Sequence, residues 1–330
     1  MSRAKTLYIV IPCYDEEEVI QKTADCLREK LTSLIKNDVI SRQSRILFVN
    51  DGSKDRTWSL IKDLHQAYPQ YFTGISLSRN RGHQNALLAG LMTAKQSADI
   101  IISMDADLQD DINVIDKMLK KYQAGAEIVY GVRSSRKKDA FFKRITAEGF
   151  YKFMKLMGVD IVFNHADYRL TSNKVLNELE RYQEVNLFLR GIFPLIGYNS
   201  DIVYYERQER FAGKSKYPLT KMLGFAWDGI SSFSVKPLRV IAVLGCVITA
   251  LSAVVLLYSL IVNMLGQTVQ GWTFIVCSIW LMGGMQTFFL GIIGEYIGKI
   301  YSETKARPRY CIAENLQAKS ENSKDWINTQ

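Results

Sequence analysis

Cysteine is scarce in this chain of 330 residues: its five cysteines are widely spaced and form no Cys-x-x-Cys pair. A disulfide framework and a structural zinc site both need paired or closely spaced cysteines, so neither is expected. Global disorder is also excluded, because hydrophobic residues make up 48% of the chain and charged residues 23%. The sequence therefore predicts a folded protein with one large or two small domains and reduced cysteines.

Common nucleotide-binding motifs are also missing. No Gly-x-Gly-x-x-Gly occurs, and Gly213-Lys214-Ser215 lacks the first glycine of a phosphate loop because Gln208 stands at that position. A Rossmann oxidoreductase and a P-loop ATPase are therefore disfavoured. The net charge of +9 favours anionic partners such as phosphorylated substrates or a lipid surface. Nucleic acid is not expected as a partner, since the basic residues are scattered.

Charged residues are absent from Val240 to Gly294, a run far longer than chance allows in a chain of this composition. A polar, glycine-flanked break at 266–271 divides the run into two apolar segments, 238–265 and 272–294. As a helix, each segment would extend about 35 Å or more, which exceeds the roughly 30 Å of a hydrocarbon core. We therefore predict two transmembrane helices. A buried hairpin of a soluble protein is the alternative, and the missing polar face argues against it.

The charges that flank these segments predict their orientation. Lys236 and Arg239 lie at the amino-terminal end of the first segment, and four basic residues follow the second: Lys299, Lys305, Arg307 and Arg309. The break between the segments carries no charge, so both termini and the domain before the first segment are predicted to be cytoplasmic. The only apolar run near the start, Leu7 to Ile11, is too short for a signal peptide. We expect a multi-pass protein of the plasma membrane, and small residues in both segments favour a homo-oligomer.

The remaining sequence divides into three parts. Residues 1–216 are expected to form a globular domain. Residues 217–237 place Leu219, Met222 and other apolar residues at helical spacing, which predicts an amphipathic juxtamembrane helix in the membrane interface. Ordinary packing of this helix on the globular domain is the alternative. Residues 295–330 form a basic and polar tail.

Short apolar runs alternate with amphipathic segments throughout the globular domain. The runs predict five strands, at 7–11, 45–49, 73–77, 99–104 and 127–130. The segments between them predict four helices, at 16–34, 54–66, 84–95 and 112–123. Continuously apolar strands that alternate with helices are typical of a mostly parallel sheet covered on both faces, so we predict an α/β fold. In such a sheet the ligand binds beyond the carboxyl ends of the strands.

Acidic residues collect where these predicted strands end. The first strand leads into the acidic segment 15–18, the second into Asp51, and the fourth into Asp105 and Asp107. A carboxylate-rich edge in a basic protein suggests that Mg²⁺ or Mn²⁺ bridges protein and phosphate, since both ions prefer oxygen ligands. An Asp-x-Asp pair is weak on its own, and helix capping is the alternative. Capping is the role expected of the next two acidic residues, Asp110 and Asp111.

Several ordered motifs narrow this interpretation. Val10-Ile-Pro-Cys-Tyr-Asp-Glu-Glu17, Val49-Asn-Asp-Gly-Ser-Lys-Asp55, Asn80-Arg-Gly-His-Gln84 and Met104-Asp-Ala-Asp-Leu-Gln109 resemble the family 2 glycosyltransferases of GT-A fold. Further motifs at 131–133, 167–169, 189–191 and 210–216 make the sequence similar to the polyprenyl-phosphate glycosyltransferases. That group contains dolichol-phosphate mannose synthase and the bactoprenol glucosyltransferases. The resemblance covers about residues 5–305, and implies a GT-A, Rossmann-like domain followed by interfacial helices and two C-terminal transmembrane helices.

The resemblance also implies roles for particular residues. Binding of the nucleotide sugar is implied for Pro12, Tyr14, Glu16, Asp51 and Asp105. The metal, Mg²⁺ or Mn²⁺, would be held by Asp105, Asp107 and Gln109. Catalytic roles are implied for Asp107 and Asp167. The implied phosphate-binding residues are Arg133, Arg144, Arg190, Arg210 and Lys216.

The implied reaction is inverting, metal-dependent transfer of one hexose from a nucleotide sugar to undecaprenyl phosphate on the cytoplasmic face of the membrane. UDP-glucose and UDP-N-acetylglucosamine are the expected donors. No Arg-Trp pair of the kind found in processive synthases occurs, which favours a single transfer per acceptor. A lipid monophosphate, with a second pKa of about 6, is already a nucleophilic anion at neutral pH. Asp167 would therefore position the acceptor or the sugar more than it would take a proton.

The implied product is a lipid-phosphate-linked sugar for cell-envelope glycans, which a flippase and a glycan transferase would use next. GDP-mannose or the nucleotide of a modified aminosugar is an alternative donor. A non-catalytic nucleotide-sugar-binding scaffold is a second alternative, and the intact Asp105, Asp107 and Asp167 argue against it. A flippase or channel subunit is disfavoured, because the two apolar segments contain no polar pathway.

Overall fold

Eight strands form one mixed sheet in the computed structural model of this protein. The structure describes residues 4–133, 165–185, 187–206, 234, 236–265 and 272–316. The chain divides into two compact units: the described part of the first comprises the sheet, its helices and residues 308–316, and that of the second comprises 234, 236–265 and 272–307. Most of the predicted juxtamembrane region, 217–237, lies outside the described residues.

The strands are β1 (Leu7–Cys13), β2 (Arg45–Asn50), β3 (Phe72–Leu77), β4 (Ile100–Ser103), β5 (Ile128–Arg133), β6 (His165–Ser172), β7 (Ser200–Tyr205) and β8 (Ile312–Asn315). Across the sheet they follow the order β7-β5-β6-β4-β1-β2-β3-β8. Parallel pairs join β1 to β2 and β4, β2 to β3, and β5 to β7. Antiparallel pairs join β6 to β4 and β5, and β8 to β3. The predicted α/β fold with a mostly parallel sheet is confirmed.

The helices are α1 (Ile20–Lys36), α2 (Thr57–Ala67), α3 (His83–Ala94), α4 (Val114–Gln123), α5 (Asn173–Leu179), α6 (Leu189–Ile196), α7 (Lys236–Met264) and α8 (Trp272–Thr304). The first four correspond to the four helices predicted between the strands. The predicted first helix began at Glu16, but residues 17–19 form turns and the regular helix begins at Ile20.

Burial of apolar side chains on both faces explains the central strands. β1 is buried over its whole length, and alternate residues of a strand point to opposite faces of the sheet. Leu7, Ile9 and Ile11 share one core with residues of α1, α2 and α4. On the other face, a Cβ built at Gly90 of α3 would lie 2.4 Å from Val10 Cγ1. Glycine at position 90 therefore allows α3 to pack directly against β1.

One edge of the sheet gathers the loops that carry the candidate functional residues. Because β1 to β5 and β7 all run in one direction, their carboxyl ends lie along this edge. The antiparallel β6 begins here, since Ser103 at the end of β4 pairs with Arg169. Asp167, two residues before Arg169, is thereby placed beside the loop that follows β4.

The chain returns to the sheet after α8. β8 pairs with β3, and Trp58 Nε1 donates a hydrogen bond to Glu314 Oε1 at 2.9 Å. Arg309 Nη1 donates to Tyr182 O at 2.8 Å. Residues 311–316 therefore cover the outer edge of β3, at a place where the sequence indicated only a polar tail.

Two long helices make up most of the second unit. α7 and α8 coincide with the apolar segments predicted at 238–265 and 272–294, although α8 continues to Thr304. Tyr296 Oη donates a hydrogen bond to Ser234 O at 2.7 Å. In the described parts of the chain, no helix combines the length and the hydropathy needed to cross a membrane. The two transmembrane helices predicted from the sequence are therefore not confirmed.

Candidate active site

Hydrogen bonds join the loops after β1 and β2 at the functional edge, which is the edge of the sheet where the carboxyl ends of β1 to β5 and β7 lie. Together the two loops form one wall of this edge. Asp15 N donates to Ser53 Oγ at 3.1 Å, and Lys54 N donates to Asp15 Oδ1 at 2.9 Å. Glu16 N donates to Thr57 Oγ1 at 2.9 Å. The first two bonds connect the loops to each other and the third connects the first loop to Thr57, the first residue of α2, so these segments hold one another in place.

Three residues expected to bind the nucleotide sugar belong to the first of these loops or to the strand before it. Pro12 is buried within β1, Tyr14 is exposed directly after the strand, and Glu16 is half-buried. An exposed aromatic ring and a nearby carboxylate on a fixed backbone are suited to contact a base and a ribose. Their binding of a nucleotide stays a prediction.

Asp51, the fourth of these residues, is buried and binds the protein's own backbone. Its Oδ1 accepts a hydrogen bond from Arg81 N at 2.7 Å, and its Oδ2 accepts one from Gly82 N at 2.9 Å. Burial raises the pKa of Asp51, although the two backbone donors oppose that shift. Next to it, Gly52 has a φ of +64°, and a Cβ there would lie 2.6 Å from Asn80 N. Asp51 therefore fixes the 80–82 loop, and its predicted contact with a nucleotide remains untested.

The loop after β4 brings Asp105, Asp107 and Gln109 together. Thr23 Oγ1 of α1 donates to Ala106 O at 2.7 Å, which anchors the loop to the core. Gln109 N donates to Asp107 Oδ1 at 3.2 Å. The side chains of Asp105 and Asp107 are half-buried, so both carboxylates remain accessible at the edge.

The donor set of this loop suits a hard divalent cation. Two carboxylates and one amide oxygen are ligands that Mg²⁺ or Mn²⁺ accepts, with water and substrate phosphate completing the shell. Within the described ranges, no three histidine, cysteine, aspartate or glutamate side chains form a group that could hold a metal ion. The metal site at Asp105, Asp107 and Gln109 stays a prediction, which rests on the oxygen donors of these side chains.

Asp167 lies at the centre of a network of cationic side chains. Arg190 of α6 donates from Nε to Asp167 Oδ1 at 3.1 Å and from Nη2 to Oδ2 at 2.9 Å. His83 Nε2 lies 3.3 Å from Asp167 Oδ2 and 3.8 Å from Asp105 Oδ1. His83 thus connects Asp167 with the first carboxylate of the loop after β4.

The charges in this network stabilise one another. Burial alone would raise the pKa of Asp167, but Arg190 and His83 hold it well below its ordinary value. Burial would lower the pKa of His83, but the hydrogen bond to Asp167 and the charge of Asp105 raise it to about 9. At neutral pH Asp167 is therefore a carboxylate, and His83 is an imidazolium.

Arg169 is a second buried cation beside Asp167. Its Nη2 lies 3.9 Å from Asp167 Oδ1, and its guanidinium carbon lies 3.7 Å from the centre of the Phe193 ring of α6. Among the described residues, Nε, Nη1 and Nη2 of Arg169 have no hydrogen-bond partner. Burial lowers the pKa of Arg169 to about 10, so the side chain stays charged at neutral pH. α6 therefore meets β6 through two cationic contacts, Arg190 with Asp167 and Phe193 with Arg169.

Asp110 does not cap the following helix as the sequence suggested. Its side chain is buried, and Tyr205 Oη donates a hydrogen bond to its Oδ1. Arg133 Nη2 lies 3.7 Å from the same oxygen. Burial and the charge of Asp105 raise the pKa of Asp110 to about 6. Asp111 instead accepts a hydrogen bond from Asn113 N at 2.9 Å, in the turn before α4.

The structure thus brings most of the predicted site residues to one edge. Arg144, Arg210 and Lys216 lie outside the described residues, so their predicted phosphate binding is not tested. Sequence reasoning did not assign His83, Arg169 or Asp110 to the site. The motifs at 80–84 and 167–169 were the available signals for the first two.

The site thus combines a carboxylate-rich edge of a mixed α/β sheet with cations around a buried aspartate. The chain belongs to glycosyl transferase family 2, which residues 8–180 match. Residues 236–300 match the GtrB C-terminal hairpin. The protein is therefore a glycosyltransferase.

Relatives of the full chain agree with this family. The uncharacterized glycosyltransferase YkoT of Bacillus subtilis (strain 168) is 55% identical over 94% of this chain and 92% of its own length. The bactoprenol glucosyl transferase of Shigella phage SfX is 40% identical over 92% of this chain and 97% of its own length. Among solved structures, the mannosyl-3-phosphoglycerate synthase of Rubrobacter xylanophilus is 14% identical with a TM-score of 0.45, covering 68% of this chain and 71% of its own.

Proposed function

We propose that the protein transfers a single hexose from a nucleotide sugar to undecaprenyl phosphate, with UDP-glucose or UDP-N-acetylglucosamine as the donor. The observation that carries the proposal is the network around Asp167 at the carboxyl edge of the sheet. In this network His83 Nε2 lies 3.8 Å from Asp105 Oδ1, and both His83 and Arg190 approach the Asp167 carboxylate. Full-length similarity to a bactoprenol glucosyl transferase supports the choice of acceptor and of glucose.

In this proposal the donor occupies the wall formed by the loops after β1 and β2. Tyr14 and Glu16 contact the base and the ribose, while Asp51 keeps the 80–82 loop in place through its bonds to Arg81 N and Gly82 N. The diphosphate then lies at the loop after β4. Asp105, Asp107 and Gln109 would hold a divalent cation that neutralises the charge of the leaving diphosphate.

The acceptor provides its own nucleophile. An oxygen of the lipid phosphate attacks the anomeric carbon and forms a new C–O bond, while the bond to the nucleotide breaks and its electron pair leaves with the diphosphate. One displacement of this kind inverts the anomeric carbon, so an α-linked donor gives a β-linked product. The phosphate oxygen is already an anion near neutral pH, so no strong base is required.

Asp167 is therefore assigned a positioning role. A carboxylate that accepts two hydrogen bonds from Arg190 and lies 3.3 Å from the His83 imidazole is a weak proton acceptor. It is suited to hold both cations towards substrate phosphates. Arg133 and Arg190 are the described candidates for phosphate binding, and arginine is favoured for that task because its planar fork matches phosphate oxygens.

The lipid acceptor places the enzyme at a membrane, and we propose the cytoplasmic face of the plasma membrane. Support comes from the absence of charge between Val240 and Gly294 and from exposed apolar side chains along α7 and α8, such as Leu251 and Leu290. In this proposal the two helices form a hairpin in the bilayer, with both termini in the cytoplasm. Exposed glycines such as Gly284 and Gly291, where a Cβ would meet nothing within 4 Å, suit association into a homo-oligomer.

The test uses the full-length protein in detergent with undecaprenyl phosphate and a panel of labelled UDP- and GDP-sugars, with and without EDTA. We expect one UDP-hexose to give label in the lipid phase and EDTA to abolish it. Label from GDP-mannose alone would replace the proposed donor, and no label from any donor in folded protein would contradict the proposal.

A pair of variants in one loop sharpens this test. D107N removes a proposed metal ligand and should lower transfer by about a hundredfold or more. D111N is the matched control, because the partly exposed Asp111 side chain accepts a hydrogen bond from the Asn113 backbone and is not among the proposed metal ligands. Equal activity of the two variants would remove Asp107 from the metal site.

A further inference from the structure

Asp110 is a buried carboxylate next to the proposed metal ligands, but it is not itself one of them. It directly follows Gln109, and its side chain is only 1% exposed. Its Oδ1 accepts the hydrogen bond of Tyr205, whereas its Oδ2 has no hydrogen-bond partner among the described residues. Burying a carboxylate with one unpaired oxygen destabilises a fold, so a purely structural role would favour an uncharged residue here.

Asp110 and Tyr205 converge on Arg133. Arg133 and Tyr205 are the last residues of β5 and β7, and they stand opposite each other in the parallel pair. Arg133 Nε donates to Tyr205 Oη at 3.4 Å, and Arg133 Nη2 lies 3.7 Å from Asp110 Oδ1. Tyr205 of β7 and Asp110 of the loop after β4 thus contact the guanidinium of Arg133 at two of its nitrogens. The Arg133 side chain remains partly exposed at the edge of the sheet.

Tyr205 is itself packed against a second tyrosine. Its ring packs edge-on against Tyr168 with 5.5 Å between the ring centres, and the Tyr168 hydroxyl donates to Asp111 O at 3.1 Å. Tyr205 therefore presents its hydroxyl to Asp110 and Arg133 from a packed ring.

We propose that Asp110 and Tyr205 are positioning residues that orient the Arg133 guanidinium towards a phosphate group of a substrate. This inference rests on the proposed function, in which both substrates carry phosphate. The phosphate belongs either to the nucleotide diphosphate or to the lipid acceptor, and both offer the oxygen geometry that an oriented arginine binds in bidentate fashion. Without the two positioning residues, Arg133 keeps its charge and loses its fixed direction.

The experiment measures binding rather than turnover, so that it does not depend on transfer. Full-length wild type, Y205F, D110N and R133M are titrated separately with UDP in the presence of Mg²⁺ and with undecaprenyl phosphate in detergent. R133M should lower the affinity for one of the two ligands by about tenfold or more, because a charge-assisted hydrogen bond is lost. Y205F and D110N should lower the affinity for the same ligand by about three- to tenfold. The ligand that is affected shows whether Arg133 binds the phosphate of the nucleotide or that of the lipid.

Y168F is the matched control, since it removes a phenol hydroxyl from the neighbouring ring, and that hydroxyl bonds to Asp111 O. It should leave both affinities within about twofold of wild type. Y205F keeps the ring and its packing, so it reports on orientation even where an Asp110 variant fails to fold.

A double variant separates positioning from general destabilisation. If Tyr205 acts through Arg133, Y205F in the R133M background should cause no further loss of affinity. The inference would be overturned if the losses of affinity in Y205F and R133M multiplied in the double variant. A Y205F protein with wild-type affinity for both ligands would overturn it as well. Wild-type protein that binds neither ligand would overturn it too. Normal binding losses in a protein that transfers no sugar would contradict only the proposed function.

Discussion

Replacing Arg190 by methionine should destabilise the sheet domain strongly. The Arg190 guanidinium makes two hydrogen bonds to the Asp167 carboxylate, whose side chain is only 6% exposed. Methionine keeps much of the length of the side chain but removes both donors. Asp167 would remain charged and buried, with His83 and Arg169 as its nearest cations.

The size of this effect follows from the burial of the pair. Breaking a fully buried ion pair costs about 3–5 kcal/mol of unfolding free energy, because one charge is left without compensation. Arg190 is 39% exposed and other cations remain, so we expect about 2–3 kcal/mol. For a domain of this size, that loss lowers Tm by about 5–10 °C.

The assay is thermal unfolding of the full-length protein in detergent, followed by a signal of the sheet domain. R181M is the matched control, because Arg181 forms a surface pair with Glu178 at 3.0 Å and is 77% exposed. Exposed helical pairs of this kind contribute about 0.3–0.5 kcal/mol, so R181M should lower Tm by no more than about 2 °C.

A double-mutant cycle tests the cause. D167N removes the charge that loses its Arg190 partner in R190M, so R190M/D167N should be more stable than the sum of the single losses predicts. An R190M protein as stable as R181M would refute the reasoning. Strictly additive losses would do the same, since they would mean that the two side chains do not depend on each other.

Three further predictions concern other parts of the sheet domain. G90A should lower Tm, because the new Cβ would lie 2.4 Å from Val10 Cγ1, and a thermal melt that matches wild type would contradict the close packing of α3 on β1. With divalent ions removed, the free energy of unfolding should fall as pH rises through about 9, the pKa of His83 in the folded protein. The ordinary pKa of histidine is 6.5, so the protonated His83 contributes its full stabilisation below that pH and loses it on the way to pH 9. H83Q should flatten the stability profile between these two pH values, and an unchanged slope would exclude His83 as its source. Removal of residues 308–330 should expose the edge of β3, lower Tm and promote association between sheet edges, which light scattering would detect.

Five of the six strands that run in one direction were predicted from their apolar runs, whereas β7, whose sequence Ser-Asp-Ile-Val-Tyr-Tyr is partly exposed, was not. β1, β2 and β4 are buried on both faces, and their side chains record that directly. β6 was not predicted, because its sequence His-Ala-Asp-Tyr-Arg-Leu-Thr-Ser contains charged residues that are buried only through mutual contacts. β8 was not predicted either, since four exposed residues carry no periodic signal and pair with β3 only after the chain has folded.

In the candidate site, too, some residues could be predicted from the sequence and others could not. The carboxylates after β4 were expected from their position alone, and the structure places them at the functional edge. The role of Asp110 could not be predicted locally, because its partners, Arg133 and Tyr205, come from strands far along the chain. Asp51 was expected to face a ligand, yet the structure directs both of its oxygens to backbone amides of the 80–82 loop. Contacts of this kind depend on tertiary structure, which spacing in the sequence does not encode.

The most direct test of the proposed activity is the chemical identity of its product. Purified full-length protein would be incubated with UDP-glucose, undecaprenyl phosphate and Mg²⁺, and the lipid product analysed by mass spectrometry and by NMR of the anomeric carbon. We predict undecaprenyl phosphate that carries one hexose in the β configuration. A lipid with several sugars, an α-linked product, or release of free glucose with unmodified lipid would contradict a single inverting transfer to the lipid phosphate.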